Sequence, residues 1–180
     1  FYRSLSTPLP LDSPKEAPPT PQQREDIKEF WEGIWGSEVD YNRNADWLSQ
    51  VQEQLSPTPE QPEFTIKKGD IAQRVKKMLN WKSPGKDGLN VFWLKHFEVL
   101  HGRIASQLNE CLQSGSAPGW MTQGKTYLLM KDPKKGTTPS NYRPITCLPV
   151  MWKLFTGVIS DRIYEHLDGS GLLPEEQKGC

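Results

Sequence analysis

Four cations crowd one short stretch of this 180-residue chain: Lys131, Lys134, Lys135 and Arg143, with Asp132 the one carboxylate among them. Cations gathered in this way suit an anion with several oxygens, and the forked guanidinium of Arg143 can grip such an anion bidentately. The chemistry this points to is recognition of phosphate. A solvated basic loop would have the same composition, so the residues alone leave both readings open.

The elements that position these cations are two short β-prone runs, Thr126–Met130 and Pro144–Cys147, on either side of a loop rich in Lys, Gly, Pro, Ser and Asn. Apolar runs bounded by turn residues predict strands, here a hairpin. The loop is longer than a tight turn requires, and such loops often carry function. Pro144 biases Arg143 toward extended geometry, which places the guanidinium on one face of the hairpin near Lys131.

Upstream, Trp81–Gly88 (Trp-Lys-Ser-Pro-Gly-Lys-Asp-Gly) interrupts a helical pattern with Pro84 and two glycines. Glycines let backbone approach another molecule closely, and Lys82 and Lys86 flank them. A plain helix-breaking turn is the other reading. The segment 171–179 (Gly-Leu-Leu-Pro-Glu-Glu-Gln-Lys-Gly) closes the chain.

Taken in order, these blocks resemble the fingers region of reverse transcriptases from non-LTR, LINE-type retrotransposons. That family has a Leu-Ile-Pro-Lys-like strand, here Leu128–Lys131, and a polar loop, here Asp132–Asn141. Asn141-Tyr142-Arg143-Pro144-Ile145 and a long helix over Val150–Leu167 follow. Trp81–Gly88 resembles the family's Lys-Ser-Pro-Gly-Pro-Asp-Gly block, with Lys86 where the family usually has Pro. The resemblance covers about residues 64–180. It implies that Lys131 and Arg143 close over the phosphates of an incoming dNTP. It also implies that Lys82, Ser83, Gly85, Lys86 and Gly88 lie at the template strand, with Lys134 and Lys135 on nucleic acid as well. The partners implied are RNA template, DNA primer, dNTP, and the palm and thumb of the polymerase. An ion pair locking the hairpin is the alternative role for Arg143.

Template-directed synthesis needs two metal ions held by carboxylates. The resemblance places those carboxylates in a palm with a Tyr/Phe-x-Asp-Asp turn, and this sequence has no adjacent Asp pair. The expectation is a piece of a longer RNA-directed DNA polymerase, which begins at Phe1 rather than Met and stops before the palm. No cofactor is expected in this part, with Mg2+ expected for the complete enzyme. The alternative is a stand-alone, truncated or domesticated nucleic-acid-binding protein without polymerase activity.

The zero net charge hides an asymmetry. Residues 1–66 carry five Lys/Arg against twelve Asp/Glu, and residues 67–180 carry seventeen against ten. A basic C-terminal portion suits a polyanion, since release of condensed counterions drives such binding. Cys111, Cys147 and Cys180 are odd in number and far apart, and His96, His101 and His166 are scattered, so no zinc site or disulfide framework is indicated. A reducing, intracellular location in nucleus or cytoplasm fits. No apolar run approaches the ~18 residues of a membrane span.

Composition divides the chain into a proline-rich acidic linker with two short helices (1–62) and the fingers part (63–180). Residues 1–20 hold prolines at 8, 10, 14, 18 and 19. Thr20-Pro21-Gln22-Gln23 then predicts a capped helix start, with Ile27, Phe30, Trp31 and Ile34 at helical spacing and Gly36 as stop. A second helix is expected over about 45–55, with Trp47, Leu48, Val51 and Leu55 on one face. These helices brace the fingers, bind elsewhere, or merely connect. Further helices are expected over 68–80, 91–113 (bent near His101–Gly102, ended by Gly115) and 149–167. Phe64–Ile66 is a candidate third strand. Lys153 and Arg162 on the last helix face either nucleic acid or solvent. The fold class expected is α+β, mostly helical with a small antiparallel hairpin sheet.

Overall fold

The computed structural model of the chain describes residues 19–173. The linker prolines at 8, 10, 14 and 18, and most of the 171–179 block, lie outside them. The architecture is α+β: mostly helical, with one two-stranded antiparallel sheet. Its elements are α1 (Pro21–Trp35), α2 (Asp46–Leu55), α3 (Lys68–Lys77), α4 (Val91–His96), α5 (His101–Ser114), α6 (Gly119–Thr122), β1 (Lys125–Met130), β2 (Tyr142–Cys147) and α7 (Val150–Gly169). None of the described helices is long and apolar enough to cross a membrane.

The described residues form two units. The first holds residues 19–40 and Leu128–Arg143, and the second holds Tyr41–Tyr127 with residues 144–173. The compositional boundary at 62/63 falls inside the second.

In the first unit, α1 starts at the predicted cap. Thr20 Oγ1 accepts from the Gln23 amide at 3.3 Å, and Gln23 Oε1 accepts from the Thr20 amide at 2.8 Å. Together they satisfy two donors that a helix start otherwise leaves orphaned. Of the apolar set on α1, Ile27 is fully buried, Trp31 is half-buried, and Phe30 and Ile34 are exposed. The helix packs against the Pro139–Asn141 turn of the hairpin loop, and Gln23 Nε2 donates to Thr137 Oγ1 at 3.1 Å. An acidic helix therefore rests on the basic loop. The second predicted helix, α2, forms but buries no side chain, and its Trp47, Val51 and Leu55 are exposed.

The second unit is built around α3, which packs on α4, α5 and α7. Its core takes Ile71 and Val75 from α3, Ile104 and Leu108 from α5, and Val150, Leu154, Phe155 and Val158 from α7. These positions recur at three- and four-residue spacing, the stripe an amphipathic helix turns inward. Gly157 leaves room for the Arg74 guanidinium to lie against α7, since a methyl there would meet it at 2.8 Å. Charges clasp the same crossing: Arg74 pairs with Asp161 at 3.1 Å and Arg162 with Asp70 at 2.7 Å, while Glu165 on α7 itself holds Arg162 at 2.9 Å. The hydrogen bond to Glu165, with the Asp70 charge, raises the Arg162 pKa against partial desolvation. Arg162 is therefore a structural clasp.

Two expectations are overturned. Phe64–Ile66 is not a strand. The Asn109 side chain takes both backbone groups of Ile66, accepting from its N–H at 2.8 Å and donating to its C=O at 2.9 Å, so the segment needs no strand partner. The helix over 91–113, expected to bend near His101–Gly102, is broken just before that point, into α4, a 3-10 turn at Glu98–Leu100, and α5. Buried His101 Nε2 donates to the Leu94 carbonyl at 2.7 Å, taking the acceptor that a continuing helix would have given to a backbone N–H. Phe97 and Leu100, which helical spacing alone would turn toward the core with Ile104 and Leu108, are exposed. The predicted end at Gly115 holds, with the glycine in the left-handed region at φ 63°.

Candidate phosphate and nucleic-acid contacts

Register places the hairpin cations. Thr126 Oγ1 and Thr146 Oγ1 meet at 2.8 Å, and the Lys131 amide donates to the Asn141 carbonyl at 2.7 Å. Both pairs belong to one antiparallel register, which sets Leu129 opposite Arg143 and Lys131 one pair further toward the loop. Side chains alternate between faces, so Lys131, Leu129 and Arg143 share a face. That face is open, with Leu129 50% exposed.

The cations differ in what holds them. Lys131 Nζ donates to the Ser140 carbonyl at 2.7 Å, which leaves two of its three donors free for an anion. Arg143 is exposed and has no ion pair among the described residues. Lys134 and Lys135 stand exposed on the 3-10 turn Pro133–Lys135. Asp132, the carboxylate in the loop, spends an oxygen on capping that turn, accepting from the Lys134 amide at 3.0 Å.

The residue that shapes the loop is Asn141, whose role was not read from the sequence. It is 4% exposed. Its Nδ2 donates to the Asp132 and Gly136 carbonyls, each at 2.8 Å, and its Oδ1 accepts from the Asp132 amide at 3.2 Å. One side chain thus ties three backbone groups of the ten-residue loop and holds both loop ends at the Lys131–Arg143 face. The signal was available in the sequence, since Asn is the side chain that can both donate to and accept from nearby backbone.

In the second unit the Trp81–Gly88 loop is fastened to its own chain. Lys153 Nζ donates to the Ser83 carbonyl at 3.3 Å, and Lys86 Nζ donates to Gln123 Oε1 at 3.2 Å. Gly85 is buried. A methyl on it would lie 2.6 Å from Pro149 Cα and 2.7 Å from the Leu148 carbonyl carbon. The requirement for glycine there comes from this internal backbone approach. Gly88 is exposed, adopts φ 65°, and has open space where a side chain would go. Lys82, Ser83 and Lys86 are exposed.

Among the described residues, no group of three or more His, Cys, Asp or Glu side chains is placed to hold a metal ion.

No protein-family model matches the chain. Over 137 residues, 73% of this chain, it is 26% identical to a protein of Drosophila melanogaster described as a probable RNA-directed DNA polymerase from transposon X-element. The alignment spans 15% of that relative's length. The similarity supports a reverse-transcriptase-like relationship for this chain.

Proposed function

We propose that this chain is the fingers portion of an RNA-directed DNA polymerase of a non-LTR retrotransposon, handling nucleotide and template without supplying the catalytic carboxylates. In this reading Lys131 and Arg143 meet the phosphates of an incoming dNTP. Lys82, Ser83, Lys86 and Gly88, with Lys134 and Lys135, meet the nucleic-acid backbone, and the palm, thumb and Mg2+ belong to other parts of the polymerase. The observation that carries it is the shared face of Lys131 and Arg143. Two cations on one face of a small hairpin repel each other, and among the described residues no carboxylate pairs with either. An arriving polyphosphate gives that pairing a purpose. The similarity to a transposon polymerase supports the same reading.

Arg143→Ala tests it. A fluorescent nucleoside triphosphate is titrated into the full chain and the variant, and both are melted. Loss of one charge-assisted contact costs about 1.5–3 kcal/mol, roughly a 10- to 150-fold weaker Kd. The expected result is that loss with an unchanged Tm. An unchanged Kd with a lowered Tm would make Arg143 a structural residue and overturn the assignment.

A further inference from the structure

Five rings form one continuous aromatic surface in the second unit, half-buried at Phe92 and exposed at the other four. Trp81 stacks on Phe92 (centroids 5.1 Å, planes 19° apart), and Phe92 stacks on His96 (4.0 Å, 30°). Trp93 stacks on Phe97 (5.8 Å, 11°), and the two stacks meet where Phe92 and Trp93 pack edge to face at 5.3 Å. Helix geometry makes this arrangement. Positions 92 and 96, and 93 and 97, are one turn apart, while Val91 and Leu94 of α4 take the core face. Stacking does not hide the rings: Trp81 is 55% exposed, Trp93 47% and Phe97 48%.

Lysines alternate with these rings in the sequence. Lys82 follows Trp81, Lys95 lies between Leu94 and His96, and Lys86 is in the same loop as Trp81. Among the described residues none of the three has an ion-pair partner. Of the two local carboxylates, Asp87 accepts from the Leu89 amide at 3.3 Å, which leaves Glu98 as the other negative charge. A protein-binding patch of this size favours aromatic residues but is depleted in lysine. Two stacks of partly exposed rings, with lysines beside them in the sequence, are instead what a flexible polyanion with π faces fits.

We propose that this surface binds an unpaired nucleic-acid strand, with bases stacking on Trp81 and Trp93 and phosphates meeting Lys82, Lys86 and Lys95. The inference rests on the nucleic-acid reading above and adds a different contact, to unpaired bases. A run of stacked rings that ends in an exposed face is a run that one more planar group extends, and every base has such a face, so recognition here is tolerant of sequence.

The test uses the full chain and two strands of equal length, a short unstructured RNA and an abasic strand with the same phosphates. The wild type is expected to bind the base-bearing strand about tenfold tighter than the abasic one. Trp81→Ala is expected to weaken the base-bearing strand by about tenfold and to leave abasic affinity and the salt dependence unchanged. Lys82→Ala is expected to do the converse, weakening both strands alike. Trp93→Ala, which stacks on Phe97 instead, supplies the reading if Trp81→Ala lowers Tm. Equal wild-type affinity for the two strands, or a base preference that survives in both Trp variants, overturns the proposal while leaving nucleic-acid binding intact. Failure of the wild type to bind either strand overturns the nucleic-acid reading with it.

Discussion

Gly85→Ala adds one methyl group in a place where its neighbours are backbone. The new carbon would lie 2.6 Å from Pro149 Cα and 2.7 Å from the Leu148 carbonyl carbon. Comfortable carbon–carbon separation is about 3.5–4.0 Å, so one segment must move by roughly 1 Å. Neither can do so by a rotamer change. Leu148 and Pro149 lead directly into α7, whose Val150 and Leu154 are core residues, so the displacement strains the packing of the whole second unit. Overpacking of this kind costs about 1–3 kcal/mol. For a chain of this length each kcal/mol moves Tm by about 2–4 °C, and a cost near 2 kcal/mol predicts a fall of about 4–8 °C. Gly88→Ala is the control. It has open space around it and meets only the left-handed backbone penalty of about 1–2 kcal/mol, so its loss should not exceed that of Gly85→Ala. Calorimetry reads both variants, and RNA titration of the same samples reads binding by the part that remains folded. An unchanged Tm for Gly85→Ala, combined with weakened RNA binding, would refute the internal-packing account and return Gly85 to a nucleic-acid contact.

Two further outcomes follow from the hairpin and from the proposal that the catalytic carboxylates belong to other parts of the polymerase. Asn141→Ala removes three side-chain hydrogen bonds; the Asp132 carbonyl keeps the Lys135 amide, so the Asp132 amide and the Gly136 carbonyl are the groups left unpaired, at about 1–3 kcal/mol each. Trypsin should then cleave at Lys134 and Lys135 faster than in wild type, while hydrogen exchange of α7 is unaltered; equal cleavage rates would contradict the role given to Asn141. The chain supplied with primer, RNA template, Mg2+ and dNTPs should extend no primer, and product above a mock preparation would refute the absence of a catalytic site.

What was legible in the sequence was mostly local. Thr20, Pro21 and Gln23 specify a helix start through bonds that span three residues, and Gly115 ends α5 because only glycine enters the left-handed region without penalty. The hairpin was legible because β-prone runs and turn residues alternate over a short span. The misreadings were long-range. Asn109 replaces a strand partner for Ile66 from 43 residues away, and no propensity of Phe64–Ile66 encodes that. His101 breaks the 91–113 helix through a bond to Leu94 that periodicity cannot register, which is why Phe97 and Leu100 emerge at the surface. At the candidate site, charge and spacing indicated the cations on the hairpin. They did not separate Arg162, spent on Asp70 and Glu165, from Arg143, which has no such pair among the described residues. Nor did they reveal that Gly85 serves the entry into α7, because a glycine's neighbours are set by tertiary packing.

The central claim is that this chain handles a polyanionic strand, and the salt dependence of its affinity for an RNA–DNA duplex tests that claim most directly. If Lys82, Lys86, Lys134 and Lys135 each neutralise a phosphate, the plot of log K against log salt should fall with a slope of about −3 to −4. Replacing Lys134 and Lys135 together by Ala should make that slope shallower by about 2, with Tm unchanged. An affinity that does not respond to salt, or no measurable affinity at low salt, would contradict the account.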